Sequence, residues 1–218
     1  MEDVIEVYER PYDELQPVIC FDESNKQQLK DVFEPIPAVS GRTKRIDAEY
    51  KRNGTSNIFM IFEPLSGYRE VCVTDRRTRN DFAYVVKDLV DGDRYKATEK
   101  IILILDNLNI HSKGSLYTAF EPKEAKRIAD RLEIHYTPKR GSWLNMAELE
   151  LSALSKQCLK RRIKDQQMMK EEIAAWQTDR NLKKIKGHWT FNIDKARVKM
   201  KAVYPKPYIQ ENTNVTEY

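Results

Sequence analysis

The stretch that most constrains this 218-residue chain is Ile101-Ile102-Leu103-Ile104-Leu105, an uninterrupted apolar pentamer bounded by Lys100 and Asp106. A strand with one wet face alternates apolar and polar residues. An unbroken β-branched and leucine run instead demands cover on both faces. Such a strand belongs in the middle of a layered α/β domain, with helices above and below the sheet. Five residues are also far too few to cross a hydrocarbon core of about 30 Å, and no apolar run in the chain is longer.

The neighbouring patterns supply the remaining layers. Residues 17–22, Pro-Val-Ile-Cys-Phe-Asp, read as a buried strand ending in the acidic pair Asp22-Glu23. Residues 57–63 and 68–74 are apolar-rich and separated by Pro64, Ser66 and Gly67, which predicts an antiparallel hairpin. Phe82, Val85, Val86, Leu89 and Val90 have helical spacing behind a Thr78 or Asn80 cap. After the central strand come helical patterns at 115–119 and 122–131, a short strand at 132–136, and a turn at Pro138 and Gly141. Two further helices are expected at 145–162 and 166–181, where strong helix formers run without Gly or Pro. Residues 34–44 read as a loop. Residues 1–17 serve as a lead-in, 18–204 as the folded domain, and 205–218, polar with two prolines, as a flexible tail.

Composition excludes several classes. Apolar residues make up 40% and charged residues 33%, the balance of a globular protein. Cys20, Cys72 and Cys158 are widely spaced with no CxxC pair, so neither a disulfide framework nor a zinc knuckle is expected. His111, His135 and His188 lack the i, i+4 pairing of a helical metal site. The Met-Glu-Asp start shows no secretory pattern, and a cytoplasmic, non-membrane protein is expected. The net charge of +4 is uneven: residues 156–201 hold 14 Lys or Arg against 5 Asp or Glu, which leaves the rest of the chain at −5. A basic carboxy-terminal third suits a surface that follows phosphates, although a solvated helical face has the same composition.

Strand, hairpin, helix, strand, helix, strand, helix is the element order of the ribonuclease-H-like fold, a mixed five-stranded sheet flanked by helices. Asp22 and Asp106 then top two buried strands, and Glu148 lies on the helix beyond the fifth strand. In that fold these positions converge. Carboxylates are the hard oxygen ligands that Mg²⁺ requires, and two ions about 3.5–4 Å apart can drive phosphodiester displacement. Each acid also has a plainer reading. Aspartates at strand ends bond turn N–H groups, and Asn145 with Glu148 three residues on has capping-box spacing. Glu150 competes with Glu148, but two helical residues turn a side chain by about 200°, so only one can face a metal. Periodicity does not choose between them.

Longer motifs carry a family resemblance. Cys20-Phe21-Asp22-Glu23, Asp106-Asn107-Leu108-Asn109-Ile110-His111, and Tyr136 through Trp143-Leu144-Asn145-Met146-Ala147-Glu148 resemble the DDE transposases of bacterial insertion sequences in the Tc/mariner superfamily. Arg52-Asn53-Gly54-Thr55, Arg76-Arg77-Thr78 and Gln157-Cys158-Leu159 extend the likeness over roughly residues 18–205. The resemblance assigns the last acid of the triad to Glu148 rather than Glu150. It implies a DNA transposase catalytic domain in which Asp22, Asp106 and Glu148 hold two Mg²⁺ ions, with Mn²⁺ as a substitute. These would support cleavage at transposon ends and strand transfer into target DNA, usually at a TA step.

The same resemblance implies double-stranded DNA as partner and a homodimer that joins two ends. Asn107, His111 and Asn145 are expected as supporting residues, although His111 also reads as a satisfied turn histidine. Lys139, Arg140, Trp143, Lys160, Arg161 and Arg162 are the expected DNA contacts, with packing as the plainer role for Trp143. Arg140 stands where many relatives carry His, exchanging a titrating group for a fixed positive donor. About 17 residues precede the first strand, too few for helix-turn-helix recognition modules. An inactive DNA-binding remnant is therefore the alternative to an active catalytic domain, and another ribonuclease-H-like nuclease is a third reading.

Overall fold

A computed structural model describes residues 1–43, 45, 48–139 and 141–201. The expected flexible tail therefore lies outside the described residues. The strands are β1 (Val18–Asp31), β2 (Tyr50–Glu63), β3 (Tyr68–Thr74), β4 (Ile101–Leu105) and β5 (Leu132–Tyr136). They form one sheet in the order β3-β2-β1-β4-β5, antiparallel across β1, β2 and β3 and parallel across β1, β4 and β5. The helices are α1 (Glu2–Glu9), α2 (Arg79–Asp91), α3 (Lys113–Ala119), α4 (Pro122–Asp130), α5 (Ala147–Gln157), α6 (Gln166–Leu182) and α7 (Ile193–Lys199).

The sheet has a core on each face, and alternation along the strands sorts the side chains between them. Ile19, Phe21, Phe59, Ile61, Leu103 and Leu105 join Phe82, Val86, Leu116 and Ile128 from α2, α3 and α4. Cys20, Met60, Phe62, Ile102 and Ile104 join Val4, Ile5 and Val7 of α1, Leu154 of α5, Met169 and Ile173 of α6, and Ala196 of α7. The apolar pentamer is fully buried, as a doubly covered strand must be.

Four local features differ from the expectations or refine them. Asp22 does not end its strand, because β1 continues to Asp31 by pairing antiparallel with β2 after its parallel ladder with β4 stops at Cys20. Residues 1–17, expected as a lead-in to the sheet, contain α1 (Glu2–Glu9), whose Val4, Ile5 and Val7 are buried. The 145–162 helix is shorter than expected: a 3₁₀ turn at Ser142–Leu144 precedes α5, which stops at Gln157. The chain then turns inward so that Leu159 and Ile163 enter the core and the Ile163 carbonyl accepts from Leu29 N. Thr78 caps α2 in a full capping box with Asp81.

Strand β3 sits at the sheet edge, where unpaired backbone groups would otherwise be exposed. Helix α6 supplies partners from its side chains. Asn181 Oδ1 accepts from Arg69 N at 2.9 Å, Asn181 Nδ2 donates to Arg69 O at 2.8 Å, and Gln177 Oε1 accepts from Val71 N at 2.8 Å. Replacing Asn181 with Ala strands both Arg69 backbone groups, and we expect a loss of about 1–3 kcal/mol in urea unfolding. A change below about 0.5 kcal/mol would show that these bonds carry little of the docking of α6.

Candidate functional site

The parallel register of β1 and β4 determines where two of the acids stand. Cys20 lies opposite Ile104, so continuing both chains by two residues sets Asp22 opposite Asp106. Neighbouring strands are about 4.8 Å apart. Both aspartates share the parity of Cys20 and Ile104, whose side chains face the α1, α5, α6 and α7 layer. Helix α5 lies on that face with Glu148 as its second residue.

Each aspartate spends one oxygen on its own turn, as the plainer reading required. Asp22 Oδ1 accepts from Glu23 N at 2.8 Å, and Asp106 Oδ1 accepts from Leu108 N at 2.9 Å. Turn bonding and ligation are thus compatible, because each Oδ2 has no hydrogen-bond donor among the described residues. Burial pushes the Asp22 carboxyl up to about 7 from an ordinary 3.8. The bond from Glu23 N opposes this rise, while the charges of Glu23, Asp106 and Glu148 add to it. Three acids therefore crowd one buried carboxyl, and a divalent cation would relieve that repulsion. The hard oxygen donors fit Mg²⁺ or Mn²⁺. Among the described residues, however, no three His, Cys, Asp or Glu side chains are already gathered into a metal-binding group.

Asp106 also faces a cation. His111 is buried between two carboxylates, with Nδ1 at 2.7 Å from Asp106 Oδ1 and Nε2 at 2.9 Å from Glu23 Oε2. Burial alone would lower its proton affinity, but the bonds to Asp106 and Glu23 outweigh burial and hold it up at about 9. His111 is thus an imidazolium at neutral pH, which suits it to orienting carboxylates rather than accepting a proton. Its bond, ahead of the opposing effect of burial, keeps Asp106 below the usual carboxylate range. Arg77 holds the other oxygen of Glu23 at 3.2 Å.

The two competing glutamates have different environments. Glu150 is buried and paired with Arg69 at 3.0 Å and Arg180 at 2.7 Å, so its carboxylate is committed to holding α5 against β3 and α6. Glu148 is half-buried and close enough to Asp22 to raise its proton affinity. Asn145 does not form the capping box that its spacing to Glu148 allowed as the plainer reading, for Met146 is the N-cap of α5 and makes no side-chain cap bond. Instead Asn145 Nδ2 donates to Phe21 O at 2.8 Å, and its Oδ1 accepts from Ala147 N at 3.1 Å. The amide thereby ties the start of the Glu148 helix to the residue before Asp22.

The expected DNA contacts are dispersed. Lys139 is exposed, Trp143 is 43% exposed, and Arg140 lies outside the described residues. Trp143 stacks against Trp189 with ring centroids 6.3 Å apart and meets Phe191 edge-on, so packing accounts for part of its surface. Lys160, Arg161 and Arg162 lie past the far end of α5, about 14 Å or more along the helix from Glu148. Arg161 pairs with Glu172, and Arg162 is held by Asp31 at 2.5 Å and by the Glu49 and Ala48 carbonyls. Asn107 reaches away from the acids to the Thr137 carbonyl, joining the ends of β4 and β5.

Sequence reasoning passed over Tyr8. Its hydroxyl contacts both Cys20 and the Leu144–Met146 turn. The only signal was the spacing of Val4, Ile5, Val7 and Tyr8 on one helical face. A recess of about 550 Å³ lined by Tyr12, Tyr68, Arg94 and Asn181 contains none of the three acids.

Topology and layering together make this a ribonuclease-H-like domain. Residues 17–170, more than half of the chain, match the model of the DDE superfamily endonuclease family, and the chain belongs to that family. Comparison with curated proteins gives no match. Solved structures with a similar fold include the Mos1 mariner paired end complex with Mn, at TM-score 0.55 and 14% identity over 84% of this chain and 55% of that one. The Mos1 transposase paired-end complex with left transposon end gives 0.51 and 14% over 78% and 52%. The Mos1 strand transfer complex gives 0.51 and 13% over 84% and 54%. This chain spans about half the length of the Mos1 chains it matches, and at this identity the likeness speaks for the fold.

Two measurements probe the electrostatics. Because the folded Asp22 carboxyl binds its proton more tightly than the unfolded one, the metal-free protein loses stability as pH rises from about 4 to about 7. Asp22→Asn removes that loss and is expected to raise stability at pH 8 by a few kcal/mol, roughly 1–4, with little gain at pH 4. Identical pH profiles for parent and variant would mean that Asp22 is not strained.

The second compares the glutamates by chemical denaturation. Glu150→Ala leaves Arg69 and Arg180 facing each other and should cost about 3–5 kcal/mol, whereas Glu148→Gln should change stability by less than about 1 kcal/mol. Equal costs would contradict the division of labour between them.

Proposed function

We propose that this chain is the catalytic domain of a Tc/mariner-type DNA transposase, which cleaves transposon ends and joins them to target DNA. Asp22, Asp106 and Glu148 are its proposed catalytic and metal-binding acids. The observation that carries the reading is the β1–β4 register, which sets Asp22 beside Asp106 on the face where α5 presents Glu148. Membership of the DDE superfamily endonuclease family supports it. So do the Mos1 structures that share the fold, which are a paired end complex with Mn, a paired-end complex with left transposon end and a strand transfer complex.

Two divalent ions, Mg²⁺ or Mn²⁺, would supply activation of the attacking oxygen and stabilisation of the leaving one in phosphodiester displacement. The chain's own residues define where that happens. Asp22 offers Oδ2 from within β1, Asp106 offers its own from the residue after β4, and Glu148 approaches from the helix that Asn145 ties to Phe21. His111, held protonated between Asp106 and Glu23, fixes the orientation of Asp106. Lys139 and the exposed part of Trp143 lie on the approach to α5, where a DNA backbone would be positioned. Double-stranded DNA is the proposed partner, with two copies acting on paired ends. No described helix is long and apolar enough to cross a membrane.

The direct test is nicking of supercoiled plasmid with Mg²⁺ or Mn²⁺, comparing the parent with Asp106→Asn and Glu148→Gln. We expect cleavage by the parent and at least a 100-fold loss in both variants, a scale set by roughly 3 kcal/mol of transition-state stabilisation. DNA binding with no metal-dependent cleavage by the parent would instead identify an inactive remnant. Cleavage that survives both substitutions would remove the carboxylate site from the mechanism.

A further inference from the structure

Within the functional reading above, we propose that Tyr8 is a positioning residue for the carboxylate site. Its hydroxyl sets the spacing between the strand that carries Asp22 and the helix that carries Glu148. The hydroxyl donates to Leu144 O at 2.7 Å, accepts from Met146 N at 3.3 Å, and lies 3.1 Å from Cys20 Sγ. Tyr8 has one proton to give, so the Cys20 thiol donates to the Tyr8 oxygen. Leu144 and Met146 lead directly into α5, and Cys20 stands two residues before Asp22. One oxygen atom thus touches both supports of the proposed site.

The surroundings make that contact rigid. Burial keeps Tyr8 a neutral phenol and pushes the Cys20 thiol up to about 12, so neither group ionises near neutrality. Val4, Ile5 and Val7 anchor α1 in the core, and the Tyr8 ring packs on Trp189 with centroids 4.7 Å apart. The N-cap residue of α5, Met146, makes no side-chain cap bond and Asn145 Oδ1 serves Ala147 N, so an outside oxygen at Met146 N satisfies a further backbone donor that helix starts leave open. Asn145 binds Phe21 O immediately beside this contact. The two links act on adjacent strand residues, and only Asn145 belongs to the motif that carries Glu148. Tyr8 reaches the same junction from a helix more than 130 residues away in sequence.

Tyr8→Phe removes the oxygen and keeps the ring that packs on Trp189. Two readouts in the intact chain test the proposal. The first, without metal, is amide hydrogen exchange over residues 144–149, expected to speed by about 10-fold on loss of one buried bond. The second is Mn²⁺ affinity followed by electron paramagnetic resonance. The site is the one abolished by Asp106→Asn, and its affinity in Tyr8→Phe is expected to fall by about 10-fold, the lower end of the usual cost of losing a group that orients a metal ligand. Val4→Ala, which weakens only the packing of α1, should leave Mn²⁺ affinity within about 2-fold of the parent.

Unchanged exchange, unchanged affinity in Tyr8→Phe, or an equal fall in Val4→Ala would each overturn the positioning role. Absence of Asp106-dependent Mn²⁺ binding in the parent would overturn the functional reading and the proposal built on it. The exchange result would still report separately whether Tyr8 ties the turn to the strand.

Discussion

The structure depends first on the parallel pairing of Val18, Ile19 and Cys20 with Ile102, Leu103 and Ile104. This short ladder joins the antiparallel half of the sheet to its parallel half, and no local turn holds it, because residues 32–100 lie between the two strands. Hydrophobic burial on both faces must stabilise it, and a shift of one residue would exchange the two cores. The same register determines the chemistry of the site. Asp22 and Asp106 each lie two residues past the last pair of the ladder, where the apolar runs give way to acids, so the constraint that keeps the sheet in register also keeps the carboxylates side by side.

That coupling explains which parts of the protein were legible in the sequence. The central strand, the 57–74 hairpin, the capped start of α2 (left open between Thr78 and Asn80) and β5 were readable because each is decided by local periodicity or turn chemistry. The fold class followed from element order, since a doubly buried strand leaves few architectures open. The end of α5 was not readable. Residues 158–162 have good helical propensity, but Leu159 and Ile163 gain more by turning into a core built from distant elements. Helix α1 is short, and its apolar face has meaning only once there is a sheet to cover. Asn145 illustrates the same limit: its spacing to Glu148 reads as a local cap, whereas its amide serves a strand 124 residues earlier.

Electrostatics separates three kinds of acid that composition cannot distinguish. Glu150 is buried with two arginines and has the character of a structural ion pair. Glu23 is buried with His111 and Arg77 and lends its charge to keeping that histidine protonated. Asp22 is buried where the charges of Glu23, Asp106 and Glu148 all raise its proton affinity, an arrangement a fold retains when something outside the chain compensates it. The basic carboxy-terminal third divides in a similar way. Arg161, Arg162, Arg180, Lys183 and Arg197 are engaged in ion pairs, so the net positive charge of that region overstates what it can offer to phosphates.

The side-chain amides of α6 along β3 also bear on assembly. Many proteins associate by adding a strand from one chain to the open edge of a sheet in another. Here Asn181 and Gln177 already occupy three of the backbone groups that such a strand would need, Arg69 N and O and Val71 N, and the buried Arg69–Glu150–Arg180 cluster locks the helix bearing them in place. The edge of β3 at Arg69 and Val71 is therefore closed to extension. Copies of this protein that came together on DNA would not add a strand over that stretch, and the sheet supporting the carboxylates would not be remodelled from there by the encounter.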